Sequence, residues 1–486
     1  KYWNNFLEKI KMTHEKQKLI VKDFNGGTYT LLEVIGEGGQ GTVQRTDQVN
    51  LVAKITNLLP DVQLKEIRKQ FKHVMRLPIR DLKIALPLSL LDLENHSKFN
   101  NHAGYVMELM DGLESLSAQI ERIYSLDGQL DIIKYRDTGS FARRLLILKE
   151  LAETLAKLHG KGLAFGDLSP NNIFVSKSTE HHQVWLIDAD NIHYAEQSHQ
   201  HHFYTKGYAA PELIRNETGT NTQTDAWSFA VIALQLLTHT HPFNHGIVVD
   251  DDPDIAEEKA ARGELPWVYD VEDDSNEIAV QGFPVFDMLN KRLFSLFQRC
   301  FGSSRLSDKI YERPTMVEWH YELNRTLSLL LTCQQEDCRS SFIVNQRVTC
   351  PFCNIPHEKT EYIRLRYWGY DQDPVMVEQP WFTTTEQVFL SLGEEKVIYH
   401  EPHSDFNNEQ SKPWFRIALT EDGLKITPEP DDHVILQNAD ATKSYTLHKT
   451  QILKNHQKGN KDLFITHSAL QMNSEKMHSF FWRFTW

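Results

Sequence analysis

The sequence predicts an α+β chain of several units: a β-rich front, a helical middle, a short cysteine-knuckle segment and an all-β tail. Three observations predict this order. Runs rich in β-forming residues, broken by a glycine turn, fill much of the first hundred positions. Apolar residues then recur at helical spacing through residues 141–158, and a second apolar run follows at 227–237. Beyond residue 378, short β-forming runs such as Trp414-Phe415-Arg416-Ile417 alternate with turns rich in Asp, Gly, Asn and Pro.

Length and composition set the outer limits. With 486 residues, 40% hydrophobic and 24% charged, the chain is too long for one core and too apolar for disorder. No run of about 18 apolar residues occurs, nor a basic-then-apolar start, so no membrane segment is expected. A formal net charge of −14 disfavours nucleic acid as a partner, because phosphate backbones are bound by basic patches. Four of the five cysteines fall between Cys333 and Cys353, which suits a metal cluster in a reducing, cytoplasmic setting better than a disulfide framework.

The front portion reads as strand, glycine turn, strand. Thr28 to Ile35 carry β-formers and lead into Gly36-Glu37-Gly38-Gly39-Gln40-Gly41. Such a G-x-G-x-x-G is weak evidence for phosphate binding, since glycines also serve ordinary hairpins. A further strand carries Val52-Ala53-Lys54, and Glu66 lies on the helix predicted next, so the two could pair and aim the ammonium at phosphates.

Farther along, Asp167 is followed five residues later by Asn172, a carboxylate and an amide able to orient a hydroxyl and hold a metal ion. The apolar strand Val184-Trp185-Leu186-Ile187 then delivers Asp188-Ala189-Asp190, an acidic strand end of the type that ligates Mg²⁺.

This order, continued by Ala210-Pro211-Glu212, Asp225 and Arg313-Pro314, resembles the protein-kinase signature set over roughly residues 25–328. The resemblance implies a bilobal kinase fold binding MgATP, with an N-lobe at 25–108 and a C-lobe at 109–328. It implies that Lys54 and Glu66 form the phosphate-positioning pair, that Asp167 is the catalytic aspartate, and that Asn172 and Asp188 hold Mg²⁺. Gly36, Gly38, Gly41, Val43 and Ala53 would border the nucleotide, and Glu108 and Met110 would offer hinge backbone groups to adenine. Glu212 would pair with Arg313, and Asp225 would brace the catalytic loop. Thr205, preceding Tyr208 and the Ala-Pro-Glu segment, implies transfer to Ser or Thr of a protein substrate.

Three positions depart from the family pattern. The usual His-Arg-Asp reads Phe165-Gly166-Asp167, which removes the arginine that clamps an activation-loop phosphate. Ser169 replaces a lysine that neutralises the transferred phosphoryl group. Asp188-Ala189-Asp190 replaces Asp-Phe-Gly. These motivate a second reading, a nucleotide-binding pseudokinase that acts as a scaffold. His193, His199, His201 and His202 are expected to be solvated loop residues, and the acidic stretch between His245 and Glu277 a solvated loop.

After the helical region, Cys333-x4-Cys338-x11-Cys350-Pro351-Phe352-Cys353 supplies two thiolate pairs suited to tetrahedral Zn²⁺, predicting a structural zinc ribbon at 329–360. His357 is a lesser ligand candidate and Cys300 a buried structural thiol. A small β-sandwich-like domain is expected at 378–486. The overall layout is also similar to bacterial kinases of tellurite-resistance or stress gene clusters, a resemblance that implies a phosphatase and a von Willebrand A-type protein as partners.

Overall fold

Residues 51–56 show in miniature how the front unit is built. Successive side chains of a strand point to opposite faces. Ala53 and Ile55 accordingly enter one apolar cluster, while Val52 enters another packed under a helix. Lys54 is thereby placed on the helix side with Val52.

A computed structural model describes residues 19–94, 96–196, 204–250, 252–279, 282–302, 312–344, 348–358, 361–371, 381–400, 402, 412–439, 442–467 and 478–486. Within it, β1 (Leu19–Asp23), β2 (Thr28–Gly38), β3 (Gly41–Thr46), β4 (Leu51–Thr56), β5 (Ser89–Asp92) and β6 (Gly104–Glu108) close into an antiparallel barrel ordered β1-β2-β3-β4-β6-β5. The barrel begins at Leu19, ahead of the expected start at residue 25, because β1 pairs with both β2 and β5 and closes the sheet. The Asp61–Val74 helix covers its lower side with Leu64 and Phe71, and its last residue, Val74, joins the core of the next unit.

The second unit is helical. Its centre is the Thr222–Thr238 helix, buried nearly all round, which begins at an Asn221–Thr224 capping box that satisfies its first free N–H groups. The Ser140–Gly160 helix and the Met316–Ser328 helix pack beside it in one large apolar core. The acidic stretch is only partly loop: Pro253–Ala261 is a helix, with Asp252 as its N-cap.

Strands Leu330–Thr332 and Ser341–Ile343 form the cysteine segment's hairpin. This segment is sewn to the helical unit. Phe352 stacks on Tyr135 at 5.4 Å between ring centroids and meets Phe283 edge-on at 5.8 Å. The backbone N–H of Ala142 donates to Ser341 Oγ at 2.8 Å.

Among the described residues, two antiparallel sheets of six and four strands follow, and residues from both, including Leu365, Phe415, Ile426, Ile465 and Trp482, share one core. Tyr362–Asp371 pairs with both Trp381–Ser391 and His478–Thr485, so the β unit begins ahead of the expected residue 378. Among the described residues no helix is long and apolar enough to cross a membrane.

Candidate active site

The cleft between barrel and helical unit collects most of the expected side chains. On its roof, β2 ends at Gly38 and β3 begins at Gly41, leaving a two-residue hairpin. Gly41 has φ +152°, and a Cβ there would lie 2.2 Å from the Ile55 carbonyl oxygen, so this position requires glycine. Gly38 and Gly39 have open space around them. Val43 lies opposite Lys54 in the β3–β4 register, and Ala53 is fully buried beside it. Glu108 ends β6 opposite Leu51, and Met110 follows in the linker to the helical unit.

Lys54 is 3% exposed, and its Nζ donates to Asp188 Oδ1 and, at 2.5 Å, to Asp190 Oδ2. Burial alone would lower this ammonium's pKa, but the Asp190 and Asp188 carboxylates overrule it and hold the group above its ordinary value. The expected Lys54–Glu66 pair is therefore not formed. Glu66 is exposed, while Gln70, one turn farther along the same helix, reaches the triplet: its Nε2 donates to the carbonyls of Asp190 at 3.0 Å and Ile192 at 3.1 Å.

Asp188 sits in the left-handed region at φ 59°, ψ 51°, where the chain turns from strand into the short Ala189–Asn191 helix. Its side chain is 28% exposed, against 10% for Asp190. Asp188 thus faces the cleft, and Asp190 turns inward to accept a further hydrogen bond from Tyr105 Oη at 2.8 Å.

On the floor, Asn172 Nδ2 donates to the Asp167 carbonyl at 2.8 Å, and Thr205 Oγ1 donates to Asp167 Oδ1 at 2.8 Å. Burial raises the Asp167 carboxyl above its ordinary value; the Thr205 hydrogen bond opposes the shift and the nearby Asp188 charge adds to it. Asp225, inside the central helix, accepts from the backbone N–H groups of Phe165 at 2.7 Å and Gly166 at 3.0 Å and so braces the loop from below. Gly166 stands at φ +91° with the Asn191 carbonyl only 3.0 Å from where a Cβ would lie, which explains glycine in place of the family's arginine. Arg313 holds Glu212 by two hydrogen bonds of 2.7 and 2.9 Å.

Ser169 is buried, and its Oγ has no hydrogen-bond partner among the described residues. His193 is not a solvated residue as expected: it is 1% exposed, with ring nitrogens 2.7 Å from the Asn191 carbonyl and 2.8 Å from the Thr220 carbonyl. His199, His201 and His202 lie outside the described residues.

At the far end of the helical unit, the Cys333 and Cys353 sulfurs lie 3.7 Å apart, as do those of Cys338 and Cys350, and all four fall within 4.8 Å of one another. His357 turns its Nδ1 to Glu361 at 2.9 Å rather than toward the thiols. Burial pushes the Cys300 thiol up to about 12, so it is inert packing.

A barrel lobe stands over a helical lobe, with a lysine and two carboxylates converging in the cleft between them. The chain belongs to the protein kinase domain family, whose match covers residues 29–316. It is 27% identical over 227 residues to the Ser/Thr-protein kinase pkn2 of Myxococcus xanthus, covering 45% of this chain and 25% of that protein. Over 164 residues it is 28% identical to the Ser/Thr-protein kinase PknG of Mycolicibacterium smegmatis, covering 33% of this chain and 19% of that protein. The Ser/Thr-protein kinase dkf-2 of Caenorhabditis briggsae is 28% identical over 163 residues, covering 32% of this chain and 13% of that protein. These matches span a quarter or less of the relatives' own lengths.

Proposed function

We propose that this chain is an ATP-dependent protein kinase that transfers the γ-phosphoryl group to Ser or Thr of a protein substrate. The observation that carries this reading is the hydrogen bond from Thr205 Oγ1 to Asp167 Oδ1, which already presents a hydroxyl to the carboxylate that would orient the acceptor. The kinase family and the Ser/Thr-kinase relatives support the same class.

The residues fit MgATP chemically. Asp188 and Asn172 offer hard oxygen donors, and the cluster of one ammonium with two carboxylates carries a net negative charge that a divalent cation would offset. Mg²⁺ held by Asp188 and Asn172 would neutralise phosphate charge. Lys54 aligns the phosphates, and Asp167 orients the acceptor hydroxyl. That oxygen would attack the γ-phosphorus, its proton passing to Asp167, and the bond from the γ-phosphorus to the β-phosphate oxygen would break to leave ADP. Asp225 keeps the loop in place while this happens.

The four thiols suit a structural Zn²⁺, because a four-thiolate site is closed to substrate and matches the ion's tetrahedral preference. The reading extends to a cytoplasmic setting. A phosphatase, a von Willebrand A-type partner and membership of the tellurite-resistance or stress group belong to it on resemblance alone.

The test of the assigned metal ligand is Asp188→Asn, which should abolish Mg²⁺-dependent transfer while circular dichroism and melting stay near wild type. Full residual activity would remove Asp188 from this role.

A further inference from the structure

We propose that Asp190 is the carboxylate that positions Lys54 for the nucleotide phosphates, replacing the helix glutamate; this rests on the kinase reading of the cleft. An ammonium as enclosed as that of Lys54 stays charged only beside an anion, and its alignment is set by whichever carboxylate holds it.

Two carboxylates do so, and they are not equivalent. Asp188 is the more exposed, faces the cleft and is the one expected to turn to Mg²⁺. Asp190 points away from the cleft, with both oxygens engaged: Oδ2 by Lys54 at 2.5 Å and Oδ1 by Tyr105 Oη at 2.8 Å. Tyr105 is itself fully buried and held edge-on by Phe71 of the Asp61–Val74 helix at 4.9 Å. When Asp188 is committed to metal, Asp190 is the partner left to Lys54.

The helix has no carboxylate to give at this point. Its residue that reaches the triplet is Gln70, an amide, and Gln70 spends its donor on the Asp190 and Ile192 carbonyls. Those bonds fix the backbone that carries Asp190. The short turn from Asp188 to Asn191 presents residues 188 and 190 to the same ammonium. A glycine at 190, the family's residue in the third place of this triplet, could not supply the charge. The anchor of Lys54 therefore travels with the metal-binding triplet, and the helix acts on it indirectly through Gln70 and Phe71. Asp190 is a positioning residue in this account, because it touches Lys54 and not the nucleotide.

The experiment compares full-length wild type with Asp190→Asn, Asp190→Gly, Glu66→Gln and the double variant Asp190→Gly/Gln70→Glu. Equilibrium affinity for a fluorescent ATP analogue with Mg²⁺, KM for ATP, kcat and thermal unfolding are measured on each. Asp190→Asn and Asp190→Gly should weaken nucleotide binding roughly tenfold to a hundredfold, the loss expected for one charge-assisted contact. Glu66→Gln should bind like wild type, since that side chain is exposed. The double variant, which returns a carboxylate from the helix, should recover part of the affinity lost in Asp190→Gly.

Wild-type affinity in a folded Asp190→Asn, or an equal loss in Glu66→Gln, would overturn the assignment. If Asp190→Asn does not fold, Tyr105→Phe reads the same contact by freeing Asp190 Oδ1: several-fold weaker binding supports the proposal, and unchanged binding contradicts it. Affinity is read without phosphoryl transfer. A wild type that binds MgATP and transfers nothing would end the kinase reading while leaving the Asp190 result to be judged by itself.

Discussion

Arg313 reaches across 101 residues of chain to hold Glu212 with two hydrogen bonds, 2.7 Å from Nη1 to Oε1 and 2.9 Å from Nη2 to Oε2, and both side chains are buried. The same guanidinium lies 4.8 Å over the Trp227 ring and donates to the Gln223 carbonyl at 3.1 Å. Three parts of the helical unit thus meet at one cation: the segment after Thr205, the central helix and the residues before the Met316–Ser328 helix.

Breaking this pair from one side leaves an unpaired buried charge. Arg313→Ala or Glu212→Ala should cost about 3–5 kcal/mol of stability. Denaturant unfolding of both singles and of the double variant checks this, with the double expected to cost clearly less than the sum. Strict additivity would contradict a coupled pair.

Asp167 ties activity to pH. Its carboxyl is raised by burial, and only the unprotonated form can accept a hydroxyl proton, so kcat/KM, which reports the free enzyme, should fall on the acid side at a pH above that of an ordinary aspartate. The Thr205 hydrogen bond opposes that rise. Thr205→Val should move the acid limb to higher pH, and Thr205→Ser should restore it. A shift to lower pH in Thr205→Val would contradict this coupling.

The glycine turn contains one demanding position and one tolerant one. Gly41→Ala forces a Cβ against the Ile55 carbonyl at a left-handed backbone, at a cost of about 1–3 kcal/mol. Gly39→Ala meets nothing within 4 Å and should be nearly neutral. Melting temperatures and KM for ATP of the two variants give the comparison; equal effects would contradict the barrel geometry at Gly41.

The packing of the cysteine segment on the helical unit makes its metal content testable there. Atomic absorption should find roughly one zinc per chain, as four thiolates about one tetrahedral ion require. Because Phe352 packs on Tyr135 and Phe283, chelation should lower the melting temperature of the helical unit as well as unfold the knuckles. A chelated protein with unchanged melting would contradict the coupling.

Much of this was legible in the sequence because the decisive residues stand at fixed chain spacing from structural punctuation. Asp167 and Asn172 share one loop, and Asp188 follows a strand whose apolar run announces it. The contact of Glu212 with Arg313 spans 101 residues and was legible only through the family pattern. The phase of a helix is harder: Glu66 and Gln70 lie one turn apart, and spacing alone does not say which of them meets Lys54. The available signal was the aspartate at 190, where the family pattern carries glycine. His193 misled for a related reason: a histidine-rich stretch reads as solvated, but this one ring finds two backbone carbonyls in the interior. Boundaries were least legible. The strand at Leu19–Asp23 and the one at Tyr362–Asp371 are defined by partners far along the chain, which local composition does not reveal.

The most direct test of the central claim is transfer of labelled γ-phosphate from MgATP to a basic protein substrate by wild type and by Asp167→Ala. Label should appear on Ser or Thr with wild type, with a loss of roughly 10²–10⁴-fold in the variant. Tight nucleotide binding by wild type with no transfer, or equal transfer by the two proteins, would contradict it.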